Sequence, residues 1–146
     1  RDVYKRQDKS SLFETTKRLL TEKGFNVYVR YGLAYFEWNW RIDSLKFFDR
    51  IIVCFENKYF DPVGTPMLKG VEATSVWTAN MLPADKIIGI SYSNPYYPKY
   101  YLQHTPVLIN AYSSDETMQK AVVRVLLGEI PFRGKSPVNL DNPMLK

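Results

Sequence analysis

Three short runs of this chain are apolar at nearly every position: Arg50–Phe55 (RIIVCF), Lys86–Tyr92 (KIIGISY) and Val107–Tyr112 (VLINAY). A strand with one wet face alternates polar and apolar residues. A strand without alternation must be buried on both faces, which is the situation of strands in a parallel sheet covered by helices. Helical patterns separate these runs, and parallel neighbours need such crossovers. The implied fold class is α/β, a three-layer sandwich with a mostly parallel sheet.

The punctuation between the runs agrees. Ser10 or Ser11 can cap a first helix, Leu12 to Lys23, with Glu14 placed to close a capping box from Ser11. Leu12, Thr16, Leu19 and Leu20 supply its inward stripe, and Gly24 is a natural stop. Asn26 to Tyr31 reads as a strand, Asp43 to Phe48 as a weak helix, Glu56 to Pro66 as a loop and Met67 to Met81 as a helix ending before Pro83. Ser93-Asn94-Pro95 is an exit turn, followed by a short helix from Tyr97 to Gln103. The last helix, Asp115 to Leu127, should turn Met118, Ala121, Val122, Val125 and Leu126 inward.

Charge is less informative than it first looks. Residues 1–7 (RDVYKRQ) join no later pattern and read as a non-native, adaptor-like segment, to be set aside from fold reasoning. Without their three cations and one anion, the net charge falls from +5 to +3. The remaining cations are scattered, forming no stripe for nucleic acid. No apolar run is long enough for a membrane span. The single cysteine, Cys54, excludes an internal disulfide and a cysteine-based metal cluster, and its apolar setting favours an inert core thiol over a nucleophile. A flavodoxin-like nucleotide binder is disfavoured, because no glycine-rich turn follows a strand: Gly32 is solitary and Gly64 lies in a long loop.

The end of the chain carries its most specific pattern. The last helix stops at Gly128 and passes into Glu129-Ile130-Pro131-Phe132-Arg133-Gly134-Lys135-Ser136-Pro137-Val138. Pro131 and Pro137 forbid continued helix, leaving an extended tail with one aromatic, Phe132, and two cations, Arg133 and Lys135. Three further pieces accompany it in order: Asp49-Arg50-Ile51-Ile52-Val53, the run from Lys86 through Ser93-Asn94-Pro95-Tyr96, and Leu108 to Tyr112 followed by Gln119-Lys120-Ala121. Together they resemble the C-terminal domain of glycoside hydrolase family 3, in its bacterial β-N-acetylhexosaminidase-like subgroup. Ser136 departs from that pattern, which usually has leucine before Pro-Val.

The resemblance implies a domain over residues 8–140, with 141–146 as a tail, belonging to a retaining exo-β-N-acetylhexosaminidase or β-glucosidase type of enzyme. It implies a bacterial, extracytoplasmic rather than cytoplasmic setting in carbohydrate or cell-wall glycan breakdown. Its partners would be an upstream (β/α)8 barrel of the same protein and a glycan at the domain boundary, with no cofactor, nucleic acid or membrane span. Retention needs two acid/base groups flanking the scissile bond about 5 Å apart; the resemblance implies an Asp nucleophile on the barrel and, in the hexosaminidase subgroup, an acid/base on the barrel as well. No catalytic residue is therefore named in this chain, no metal site is expected, and substrate-binding residues are left open. Glu56 and Asp61 follow a strand, where α/β sheets place ligands, but read better as solvated charges. His104, in the turn Gln103-His104-Thr105-Pro106, reads as structural.

Aromatic residues make up 15% of the chain, and two clusters stand out. Tyr35-Phe36-Glu37-Trp38-Asn39-Trp40 and Tyr96-Tyr97-Pro98-Lys99-Tyr100-Tyr101 could stack on sugars, as in a free-standing carbohydrate-binding or interaction module. Packing in the core or against the barrel is the favoured alternative. A helix as first element further implies an upstream strand. Without it, residues 8–146 would expose an apolar edge and behave as an insoluble or molten fragment.

Overall fold

A computed structural model describes residues 11–29, 47–56, 80–81 and 83–140. Its elements run α1 (Ser11–Glu22), β1 (Ile51–Phe55), a 3-10 turn at Ala84–Lys86, β2 (Ile87–Ser91), α2 (Tyr96–Tyr101), β3 (Val107–Asn110) and α3 (Glu116–Leu126). The three strands form one parallel sheet in the order β1-β2-β3. The α/β class with a parallel sheet is therefore the fold, and the three non-alternating runs are its strands.

Two compact units share the chain. One comprises residues 1–29 and 114–133, the other residues 30–113 and 134–146. In the sheet unit, the register pairs Val53 with Gly89 and Gly89 with Leu108. Because side chains alternate along a strand, Ile51, Val53, Phe55, Ile87, Gly89, Ser91, Leu108 and Asn110 share one face. That face meets α2. A Cβ on Gly89 would come within 2.8 Å of Leu102 Cδ1 and 2.9 Å of Leu108 Cδ2, so the absence of a side chain is what lets the segment ending α2 pack so closely. Phe55, Ile87, Tyr97 and Leu102 form the buried cluster, flanked by Ile51, Val53, Tyr101 and Leu108. The opposite face carries Ile52, Cys54, Ile88, Ile90, Val107 and Ile109. Ile90 is fully buried at its centre, and Val107 is 40% exposed at its rim.

In the other unit, α1 and α3 are in contact. Arg18 Nη2 lies 3.7 Å from Glu116 Oε1, and Lys23 Nζ lies 2.5 Å from Glu129 Oε1. The middle of α1 thus meets the start of α3, and the segments just past the two helix ends meet. Both terminate in the same way. Gly24 (φ +89°) and Gly128 (φ +71°) take the left-handed conformation. Phe25 N–H donates to Leu20 O and Gly24 N–H to Thr21 O, while Glu129 N–H donates to Arg124 O and Gly128 N–H to Val125 O. These are Schellman stops, as the two glycines foretold. Asp115 caps α3, its Oδ1 accepting from Met118 N–H at 2.9 Å.

Some local expectations need correction. Asn26 to Val29 are not in a strand, and Tyr28 is largely exposed; Arg30 and Tyr31 lie outside the described residues. The apolar lettering of NVYV suits a strand, but it has no paired neighbour among the described residues. The buried stripe of α3 is Gln119, Val122 and Val123, whereas Met118, Ala121, Val125 and Leu126 are half-buried. Gln119 is drawn inward because its Nε2 donates to Ser114 O at 2.7 Å. β3 ends at Asn110 rather than Tyr112, since Tyr112 adopts a positive φ of 63°. The expected helix from Met67 lies outside the described residues except for its end at Asn80 and Met81, as do the Asp43 to Phe48 helix up to Lys46 and the side chains of Ser11 and Leu12. Phe47 and Phe48 are not helical.

Candidate functional site at the carboxyl edge of the sheet

Parallel strands deliver their carboxyl ends to one edge. Here Phe55 pairs with Ser91 and Ser91 with Asn110, so the three ends lie side by side. Their exits, Glu56, Tyr92 to Pro95 and Ala111 to Ser113, leave from that edge, where open α/β sheets bind ligands.

The apolar face against α2 changes character at this edge. Ser91 and Asn94 are both buried. Ser91 Oγ donates to Asn94 O at 2.5 Å and lies 3.4 Å from the donating Ser93 N–H. Asn94 Oδ1 accepts from Tyr96 N–H at 2.9 Å, satisfying a free donor at the start of α2. The Ser-Asn-Pro turn is thus set by its own side chains, as asparagine before proline allows. Asn110, beside Ser91 on the same face, has a buried Oδ1 with no partner among the described residues. A buried acceptor left unpaired costs about 1–3 kcal/mol.

The β3 exit is under backbone strain. Tyr112 is the one non-glycine residue with positive φ among the described residues, a conformation costing an ordinary L-residue about 1–2 kcal/mol. Its predecessor still belongs to the ladder, with Ala111 N–H donating to Ser91 O at 2.8 Å. The phenol is exposed and lies 3.0 Å from Ser136 Oγ in the tail.

The residues singled out in the sequence fall in different places. Glu56 is exposed at the exit of β1; Asp61 lies outside the described residues, so nothing brings the two carboxylates together. His104 is exposed and precedes β3, which puts it at the amino edge, away from the strand exits. Cys54 is a half-buried residue whose thiol is pushed up to about 12 by burial, which makes it a poor nucleophile. Tyr97 is fully buried and stacks on Phe55 and Tyr101 with ring centroids 6.0 and 6.1 Å apart. Tyr101 meets Tyr100 edge-to-face at 4.9 Å. The second aromatic cluster is therefore mainly core packing, while Tyr35 to Trp40 lies outside the described residues. Phe132 is exposed in the tail, as are Arg133 and Lys135.

Ser91, Asn110 and the strained Tyr112 were not singled out as site residues. The available signal was a polar residue ending each apolar run, as in IIGIS and VLIN. Most polar groups at this edge are turned inward: Ser91 and Asn94 are buried and bonded within their turn and Asn110 Oδ1 is buried, while the Glu56 carboxylate and the Tyr112 phenol face solvent. No cluster of His, Cys, Asp and Glu able to hold a metal occurs among the described residues, and no helix among them is long and apolar enough to cross a membrane. Comparison with known proteins adds no relative: no family model, curated protein or solved structure matches the chain.

Proposed function

We propose that this chain is the C-terminal α/β domain of a family 3-type glycoside hydrolase, β-N-acetylhexosaminidase-like, whose catalytic barrel is a separate domain of the same protein. The observation that carries this reading is the tail from Gly128 to Val138 directly after a β3–α3 pair ending the Asn-Ala-Tyr way. The parallel order of β1, β2 and β3 is compatible with it. The domain's role in this reading is to border the glycan site and hold the barrel's loops, while the barrel supplies the nucleophile and the acid/base.

The test is hydrolysis of a chromogenic β-N-acetylglucosaminide. The chain alone gives no turnover above background, and the chain expressed in frame with its barrel gives turnover. Activity of the chain alone, abolished by Glu56→Gln, would overturn the proposal. The alternative of a carbohydrate-binding module loses support from the burial of Tyr97 in the core. Retardation of the isolated chain in gels containing soluble polysaccharide would favour that alternative.

A further inference from the structure

The tail re-enters the sheet unit at residue 134, and Ser136 is where it is fastened. Ser136 Oγ donates to Val138 O at 2.8 Å and lies 3.3 Å from the donating Val138 N–H. With its own proton given to Val138, the hydroxyl accepts from the Tyr112 phenol 3.0 Å away. Pro137 stiffens the segment between the two tail contacts.

Tyr112 is an unusual residue for its place. A left-handed position next to a strand end normally goes to glycine, or to asparagine, because a Cβ is disfavoured there. An aromatic residue gains nothing from that backbone conformation, but its phenol can reach across to the tail. The two features oppose each other. Relaxation of φ at Tyr112 would swing the side chain away from Ser136, and loss of the hydrogen bond would remove what holds the strained conformation. Leucine, the residue the resemblance places at 136, could not accept this bond.

We propose that residues 134–138 form a strap latched to the exit of β3 by the Tyr112–Ser136 hydrogen bond. Release of the strap lets Tyr112 leave the left-handed region, so the carboxyl edge of the sheet has a closed and an open form. The inference rests on the geometry of this edge and not on the glycosidase reading.

Trypsin reads the latch directly, because Lys135 is exposed and immediately precedes Ser136. In the full chain, cleavage after Lys135 is followed by mass spectrometry under conditions where it tracks the open population. Tyr112→Phe removes only the hydroxyl and is expected to raise that rate about three- to tenfold, the range for losing one neutral hydrogen bond. Ser136→Ala should do the same, and the double variant should add nothing further. Amide exchange at Ile90, in the middle of the sheet, should stay at its parent value and report that the fold is intact. In Ser136→Ala the three-bond HN–Hα coupling of Tyr112 should report a change to negative φ. Parent-rate cleavage in Tyr112→Phe, additive effects in the double variant, or an unchanged Tyr112 backbone in Ser136→Ala would each overturn the latch.

Discussion

Gly89 shows what a single missing atom does in this protein. A methyl group there would press on Leu102 and Leu108 at 2.8 and 2.9 Å, and both neighbours already belong to the packing of the buried cluster. Gly89→Ala is expected to cost about 1–3 kcal/mol through overpacking, seen as a lower midpoint in urea with an unchanged slope. A midpoint equal to the parent's would mean that the leucine side chains yield without cost. Cys54 makes the complementary case for chemistry. With its thiol held up to about 12 by burial, alkylation at pH 8 should be at least about a hundredfold slower in the folded chain than in denaturant. Equal rates would place that sulfur in solvent.

The helices depend on electrostatics at their ends as well as on packing. The hydrogen bond from Lys120, with the nearby Lys120 charge and Arg18, holds the Glu116 carboxyl below the usual carboxylate range. The hydrogen bond from Lys23, assisted by the charges of Lys23 and Arg124, does the same for Glu129. Both groups are lowered on folding, so their contribution is present above the ordinary carboxylate pKa and is lost as pH falls through the lowered folded value. Amide protection in α1 and α3, taken relative to the unfolded chain at the same pH, should therefore fall below about pH 4, and added salt should weaken the effect because the pairs are exposed. Protection that is flat from pH 6 to pH 3 would show these pairs contribute nothing. In the sheet, burial decides the outcome instead. Ile90→Ala, at a fully buried position, should cost about 2–5 kcal/mol. Val107→Ala, on the same face but 40% exposed, should cost much less.

For the molecule as a whole, the two units are interleaved in the chain. Each is assembled from two separate stretches, and the backbone passes between them after residues 29, 113 and 133. Neither unit can be closed until the chain has traversed the other. Within the sheet unit Ala111 keeps its ladder bond to Ser91 O, and within the helical unit Asp115 and Gln119 fasten the start of α3. Cooperative folding is the expected consequence. Ile90→Ala should lower amide protection in α3 as well as in β2, and a loss confined to the sheet unit would show that the units unfold independently.

Much of the fold was legible in the sequence because it rests on local chemistry. The non-alternating runs at Ile51, Ile87 and Val107 are the strands of a parallel sheet, as their lack of alternation implies, although only β2 is buried along nearly its whole length while β1 is half-buried and β3 is partly exposed at Val107. Gly24, Gly128 and Asp115 mark helix ends through preferences that act within a few residues. The strand proposed at Asn26 had the same lettering, but a strand exists only when another backbone pairs with it, and no composition supplies that partner. The candidate site was less visible for a related reason. Ser91, Asn110 and Tyr112 are unremarkable letters until the parallel register sets Phe55, Ser91 and Asn110 side by side. That Gln119 turns inward, that Tyr97 is core rather than a sugar platform, and that Ser136 meets Tyr112 across 24 residues of chain were decided by tertiary structure alone. Each depends on which groups distant in sequence come within hydrogen-bonding or van der Waals reach.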